Sequence, residues 1–160
     1  MSFTPAGAVA HQVVRLVPFT FRRRIAWGDS DSGRIVYTGR FLDFVMDAVD
    51  AWWQAVTGYD WHALNVKLDR GGPAVHVDMD FARAIQPGDE LDCIVTLGKL
   101  GTSSIAVAVA GVTAAGPCFR ANLVSAFIDT LQLRSVPLPD AFRAQMEAYR
   151  QACEATTLPA

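Results

Sequence analysis

The stretch from Gly39 to Gly58 constrains the fold more than any other part of this chain. Its polar residues recur at spacings of four, three and four, on one narrow stripe of a helix: Asp43, Asp47, Asp50 and Gln54. Almost every other position is apolar, so other parts of the protein must cover most of the helix circumference. Three aspartates exclude a membrane span, because each charge is costly at bilayer depth. The stretch therefore predicts a central helix capped by Thr38 and Gly58.

Five segments with alternating apolar residues surround this helix, one before it and four after it: Phe19–Trp27, Val75–Phe81, Leu91–Leu97, Ile105–Val109 and Phe119–Ile128. Alternation with period two is typical of strands that bury one face. An antiparallel sheet of about five strands that must cover one apolar helix has to curl around it. The sequence predicts an α+β fold with this helix as its filling. Pro139 and Asp140 open a short C-terminal helix with Phe142, Met146 and Tyr149 on one face.

Length and composition fit a single domain. The 160 residues are 51% hydrophobic and 19% charged, which excludes disorder and allows a core of ordinary size. We expect an N-terminal extension over residues 1–15, the main domain over 16–135, and a C-terminal helix and tail over 136–160. The net charge of −2 argues against a nucleic-acid-binding surface. The start lacks the pattern of a secretory signal, so we expect a cytoplasmic protein.

The three cysteines, Cys93, Cys118 and Cys153, are scattered and lack the CxxC spacing of zinc or redox sites. We expect no metal and no cofactor. Asp29 and Asp31 faintly resemble a calcium loop, but the twelfth position from Asp29 is Arg40 where a glutamate is required.

The connector from Trp27 to Tyr37 holds the densest cluster of polar turn residues, and function concentrates in such connectors. Asp, Ser and Gly also form turns without any substrate. Here, however, a long helix begins a few residues later, and its free N–H groups can hold a developing oxyanion. A carboxylate near that helix end, together with the free N–H groups and the aromatic side chains of Trp27, Tyr37 and Phe41, could support acyl-transfer chemistry.

Two further polar groups are weaker candidates. His76, Asp78 and Asp80 share one strand face, and a solvated or subunit-facing surface is favoured there over a metal site. The second group lies at a glycine-flanked strand junction and consists of Lys99, Thr102 and Ser103. These side chains can bind phosphates, although their spacing fits no P-loop.

The run from Trp27 to Tyr37, followed by an aromatic helix, resembles the hot-dog-fold thioesterases of the 4-hydroxybenzoyl-CoA thioesterase type. The similarity covers about Phe19 to Asp129 and includes three further segments: Gly72 to Phe81, Gly88 to Leu91, and Gly98 to Ile105. The resemblance implies a hot-dog fold and hydrolysis of an acyl-CoA thioester, with an aromatic acyl group favoured. It also implies self-association to a homodimer or homotetramer, with the pocket between two subunits.

The same resemblance assigns roles within the connector. In that family the second Asp of the Gly-Asp-x-Asp run is the catalytic carboxylate, which is Asp31 here. It attacks the thioester carbonyl or activates a water molecule. The backbone N–H seven residues on, here that of Thr38, receives the carbonyl oxygen. Trp27, Tyr37 and Phe41 are expected to contact the acyl group.

This chain departs from the family pattern at two places. Ser32–Arg34 stands where the family commonly has Pro-Ala-Gly, and the arginines that hold the CoA nucleotide near Gly101 and Thr102 are absent, leaving Lys99 as a partial replacement. The departures leave open a non-catalytic module that binds an acyl or aromatic ligand. An aliphatic acyl group, or a thioester on an acyl carrier protein, also stays open.

Overall fold

The long apolar helix forms as the sequence predicts, inside an antiparallel sheet. The computed structural model describes residues 11–156. In chain order its elements are β1 (His11–Leu16), β2 (Phe19–Arg24), a 3-10 turn (Trp27–Asp29), α1 (Arg40–Thr57), α2 (Trp61–Leu68), β3 (Arg70–Gly71), β4 (Ala74–Phe81), β5 (Glu90–Leu100), β6 (Ser104–Thr113), β7 (Gly116–Ala126), β8 (Ile128–Asp129), β9 (Arg134–Ser135) and α3 (Asp140–Ala155).

The two ends of α1 are fixed by glycines. Gly58 terminates the helix in the left-handed region, at φ 82°, as expected. The expected cap at Thr38 is wrong by one residue, because Gly39 occupies the N-cap position and no side chain caps the helix. A Cβ at position 39 would lie 2.6 Å from Cε1 of Tyr37. The tyrosine ring therefore packs where only glycine leaves room.

Helix α1 buries its apolar side against the sheet. Its buried residues are Phe41, Phe44, Val45, Ala48, Val49, Trp52, Trp53 and Thr57. Each fully buried large side chain stabilises the fold by about 1.5–3 kcal/mol. The polar stripe faces outward, with Asp47 bonded through its carboxylate to Arg23 at 3.0 Å. The Asp50 carboxylate accepts a hydrogen bond from the backbone N–H of Trp61 at 2.7 Å, and burial raises the pKa of the Asp50 carboxyl.

The main sheet has six strands in the order β1-β2-β5-β6-β7-β4, and all of its neighbours are antiparallel. This confirms the hot-dog arrangement. The five predicted strands are present, and β1 is the additional edge strand. Its six side chains are all exposed, so its sequence carries no period-two pattern. The two-residue strands β3, β8 and β9 form a second small sheet, too short for any periodicity.

Helix α3 closes one end of the core. Its predicted apolar residues Phe142, Met146 and Tyr149 are all buried, and the Tyr149 ring meets Trp52 edge-on at 5.7 Å between ring centroids. The Tyr149 hydroxyl accepts a hydrogen bond from the Phe19 N–H at 2.9 Å and donates one to the Val95 carbonyl. One side chain thereby ties the C-terminal helix to two strands.

We expect Tyr149→Phe to lower the free energy of unfolding by about 1–3 kcal/mol, because it leaves a buried backbone N–H and a buried carbonyl without their partner. Chemical denaturation measures the change. Tyr59→Phe is the matched control, because the Tyr59 hydroxyl makes no hydrogen bond within residues 11–156. Equal stability of Tyr149→Phe and wild type would contradict the assigned anchor.

Candidate active site

The connector between β2 and α1 is held by backbone hydrogen bonds on both sides. Ser30 and Val36 form an isolated antiparallel bridge. The Val36 N–H donates to the Ile85 carbonyl at 2.8 Å, and the Tyr37 N–H donates to the Asp29 carbonyl at 2.9 Å. The connector is therefore a fixed turn between the sheet and the start of α1.

Asp29 is the buried acid of this connector, and sequence reasoning missed its role. Its side chain is 5% exposed and binds the Arg40 guanidinium at 2.9 Å. The carboxylate also accepts the Ala26 N–H at 2.9 Å. The hydrogen bond to Asp29 raises the pKa of Arg40 above its ordinary value. Asp29 thus fastens the connector to the first turn of α1, and its saturated carboxylate is poorly placed for chemistry.

Asp31 contrasts with Asp29 because its side chain is exposed. Its Oδ1 accepts the Gly33 N–H at 2.7 Å, and its backbone N–H donates to the Ile35 carbonyl at 3.1 Å. Within residues 11–156 no donor is bonded to Oδ2. Local hydrogen bonds therefore orient the carboxylate while one oxygen stays free to react.

A groove of about 310 Å³ begins at the start of α1, lined by Ile35, Val36, Thr38, Phe41, Phe81, Ala82, Arg83 and Ala84. Thr38 precedes the N-cap, and across the described part of the chain its N–H donates to no backbone acceptor. Such N–H groups at a helix start are suited to hold a negative oxygen. Six of the lining residues were not predicted as site residues from the sequence: Ile35, Val36, Phe81, Ala82, Arg83 and Ala84.

The predicted aromatic residues separate into two groups. Phe41 is buried at the groove, with its ring 4.9 Å from that of Phe81 between centroids. Trp27 and Tyr37 are 76% and 56% exposed in the single chain. Of the residues predicted from the sequence, the structure brings only Thr38 and Phe41 together on the groove wall. Asp31 lies on the connector leading to it.

Lys99, Thr102 and Ser103 lie at the opposite end of the sheet. The connector packs against the segment that precedes β5, where the Ile25 N–H donates to the Asp89 carbonyl, whereas Lys99 is near the far end of β5. The Thr102 carbonyl accepts the Leu138 N–H at 2.9 Å, and the Ser103 carbonyl accepts the Phe127 N–H at 2.6 Å. Within one protomer this group does not meet Asp31.

The polar face of β4 forms a small hydrogen-bonded cluster. His76 Nε2 is 3.1 Å from one Asp78 oxygen, and Asn122 donates to the other at 2.7 Å. These two contacts, Asn122 first, lower the pKa of Asp78. Among residues 11–156 no cluster of His, Cys, Asp and Glu has the geometry to hold a metal ion. In that same part of the chain, no helix is long and apolar enough to cross a membrane.

Comparison with known proteins identifies the family to which this chain belongs. The model of the thioesterase-like superfamily matches residues 25–146, which include the connector, α1 and the groove. The chain belongs to the thioesterase-like superfamily, in agreement with the resemblance noted from the sequence.

Individual relatives agree with this assignment. The chain is similar to a 1,4-dihydroxy-2-naphthoyl-CoA hydrolase from Crocosphaera subtropica, with 28% identity over 55% of this chain and 64% of that protein. The match thus spans less than two thirds of this curated relative. A thioesterase superfamily structure from Jannaschia matches with TM-score 0.77 and 33% identity over 92% of this chain and 96% of that one. A 1,4-dihydroxy-2-naphthoyl-CoA thioesterase from Synechocystis matches with TM-score 0.72 and 22% identity over 80% and 94%.

Arg34 holds a backbone conformation that favours glycine, at φ 60°, and it stands where the resembled family commonly has glycine. A side chain in this region costs about 1–2 kcal/mol relative to the right-handed conformation. The positive φ of Arg34 therefore places local strain at one residue of the connector.

We expect Arg34→Gly to raise the free energy of unfolding by about 0.5–1 kcal/mol, the relief of strain being partly offset by the greater freedom of glycine in the unfolded chain. Arg34→Ala is the control, because it removes the same charge and keeps the strain. Denaturant midpoints measure both variants. A gain of equal size in Arg34→Ala would assign the effect to charge and contradict the strain argument.

Proposed function

We propose that this protein is an acyl-CoA thioesterase in which Asp31 is the catalytic carboxylate and the Thr38 N–H binds the thioester oxygen. The proposal rests on two groups of the same fixed connector that have no hydrogen-bond partner within residues 11–156: Oδ2 of Asp31 and the backbone N–H of Thr38. Membership of the thioesterase-like superfamily supports the reaction class.

Two routes use these groups. In the first, Asp31 Oδ2 attacks the carbonyl carbon, the carbon–sulfur bond breaks, and CoA leaves as thiolate. The resulting mixed anhydride is then hydrolysed by water. In the second, Asp31 takes a proton from water, the hydroxide attacks the same carbon, and the carbon–sulfur bond breaks so that CoA again leaves as thiolate. Both routes place negative charge on the carbonyl oxygen, which a helix-terminal N–H stabilises. A thiolate leaves readily, so one carboxylate and one donor suffice without a metal.

The groove is suited to an aromatic acyl group. Phe41 and Phe81 meet edge to face beside Thr38, and aromatic rings favour such edge-to-face neighbours. The curated relative is named as a hydrolase of an aromatic acyl-CoA. We therefore place the acyl group in the groove, with Tyr37 and Trp27 near its mouth.

A second copy of the chain completes the site in this proposal. Strand β4 is an edge of the main sheet, and seven of its eight side chains are exposed, with Val75 63% exposed. An edge of this length with bare apolar side chains invites pairing with another strand. We propose that β4 pairs with β4 of a second copy across a two-fold axis, which joins the two sheets.

Charge selects the register of that pairing. With the axis at Val77, His76 faces the second copy's Asp78 on both sides of the axis, which is a favourable cross-strand pair. An axis at Asp78 places the Asp78 carboxylates of the two copies opposite each other. An axis at Met79 places Asp78 opposite Asp80 of the second copy. Both alternatives place like charges opposite each other. Val77 is therefore the residue at the axis in our proposal.

Antiparallel pairing of two copies also brings opposite ends of the two sheets side by side. The end that carries the groove and Asp31 then neighbours the partner's β5–β6 turn, about 15 Å from its β4 at the usual strand spacing. Lys99 of the partner subunit, with its Thr102 and Ser103, is then placed to bind the CoA phosphates. The pairing thus unites the two predicted groups that one protomer keeps apart, and either a dimer or a tetramer built from such dimers satisfies it.

We expect wild-type protein to release free thiol from a panel of aromatic and aliphatic acyl-CoAs, fastest with aromatic ones. Asp31→Asn should lower kcat by roughly 10³-fold or more and leave thermal unfolding unchanged, because the exposed carboxylate bonds only within its own turn. Asp43→Asn, which removes an exposed acid in the first turn of α1, is the control and should retain activity.

Two outcomes decide against this proposal. Binding of acyl-CoA without thiol release identifies a ligand-binding module, and full activity in Asp31→Asn moves the chemistry elsewhere. Assays with acyl carrier protein thioesters, made in parallel with the CoA panel, identify which of the two carriers the protein accepts. Single turnover in ¹⁸O-water tests direct attack: label in Asp31 identifies a mixed anhydride that water opens at the aspartyl carbonyl carbon, whereas activated water leaves Asp31 unlabelled.

The register is tested by disulfide formation. In a Cys153→Ser background, we expect Val77→Cys to form an intersubunit disulfide under mild oxidation, because residues at the axis lie within disulfide reach. Val75→Cys alone should remain unlinked and should link when mixed with Met79→Cys. Self-linking of Val75→Cys, or a monomer in solution by light scattering, would contradict the proposed pairing.

A further inference from the structure

We propose that Arg83 recognises an acidic group on the acyl part of the substrate, so that the preferred thioester carries a carboxylate or a similarly anionic substituent. The inference rests on the proposed thioesterase function and narrows its substrate class. Arg83 then acts as a specificity-determining residue, outside the reacting groups.

Arg83 is the one charged side chain among the residues that line the groove within the described part of the chain. The other lining residues are apolar apart from the Thr38 hydroxyl, and none is acidic. The guanidinium makes no ion pair or hydrogen bond to any side chain of residues 11–156. An arginine in the wall of a mostly apolar groove, without a counterion, is suited to bind an anionic group of the ligand.

The backbone of Arg83 is held by hydrogen bonds, and its side chain is exposed. Its backbone N–H and that of Ala82 both donate to the Cys118 carbonyl, at 3.1 Å and 2.8 Å. One guanidinium nitrogen lies 3.9 Å from the point that a Cβ would occupy at Gly116. The side chain therefore runs beside the turn that precedes β7. The sheet therefore fixes the backbone from which the exposed side chain extends.

The location favours the acyl group over the CoA phosphates as the anion. Arg83 lines the same groove as Thr38, whose backbone N–H is the proposed hydrogen-bond donor to the thioester oxygen. The pantetheine arm separates the phosphates from the thioester by a long chain, whereas a substituent on the acyl ring lies within one ring length of it. An arginine in the wall of this groove is therefore closer to an acyl substituent than to the phosphates.

Paired substrates test the inference: a carboxybenzoyl-CoA and its carbamoyl isostere, each as meta and para isomers. Wild type should favour one carboxylate isomer over its amide. Arg83→Gln should lower kcat/KM for that carboxylate by about 10- to 100-fold, as expected for loss of a hydrogen bond to a charged group, and change it little for the amide. Arg83→Lys should recover part of the loss, because it restores the charge without the planar fork.

Arg24→Gln is the matched control, because Arg24 is exposed, forms no ion pair within residues 11–156 and lies outside the groove. It removes the same charge and should leave the preference unchanged. The same substrates made as N-acetylcysteamine thioesters, which lack phosphates, separate the two anion sources. Persistence of the Arg83 effect on them supports the inference, and its loss assigns Arg83 to the phosphates and overturns it.

Failure of this inference is distinguishable from failure of the proposed function. If wild type hydrolyses the panel and Arg83→Gln lowers activity equally on carboxylate and amide, the acid-recognition role is wrong and the thioesterase stands. If wild type hydrolyses no thioester, the proposed function itself is wrong, and the inference falls with it. Thermal unfolding of Arg83→Gln, expected to match wild type, excludes a folding defect as the cause.

Discussion

The burial of one apolar helix is the constraint on which the rest of this structure depends. Helix α1 places Trp52 and Trp53 in a core that no single flat sheet can cover, and the main sheet curls around it. The curl leaves an open end, which α3 closes through the Tyr149 hydroxyl. It also fixes where the helix begins, and the groove forms at that point.

The site draws its order from this arrangement. Two acids two residues apart on one connector have opposite environments: Asp29 is buried and bonded to Arg40, and Asp31 is exposed with one oxygen free. The first holds the connector on the helix, so the second and the Thr38 N–H keep a constant relation to the sheet. In the proposed mechanism the buried carboxylate has a structural role and the exposed one a chemical role, a division set by burial.

Several features of the fold and site were predictable from the sequence because they rest on local patterns. The stripe of aspartates specified a central helix, period two specified five strands, and Phe142, Met146 and Tyr149 specified the packed face of α3. The family was also predictable. Strand β1 was not, because both of its faces are exposed. The helix start was misplaced by one residue, because Gly39 occupies the N-cap position and no side chain caps the helix there.

The sequence alone thus determined the helix, the antiparallel strands and the residue types available for chemistry, since these follow from periodicity and short motifs. Only the tertiary structure decided which residues meet. It buried Asp29 and exposed Asp31, and it brought Phe81 and Arg83 from the end of β4 to the start of α1. It also set Lys99 at the far end of the sheet. Strand order and sheet curvature control these distances, and both arise from packing between segments remote in sequence.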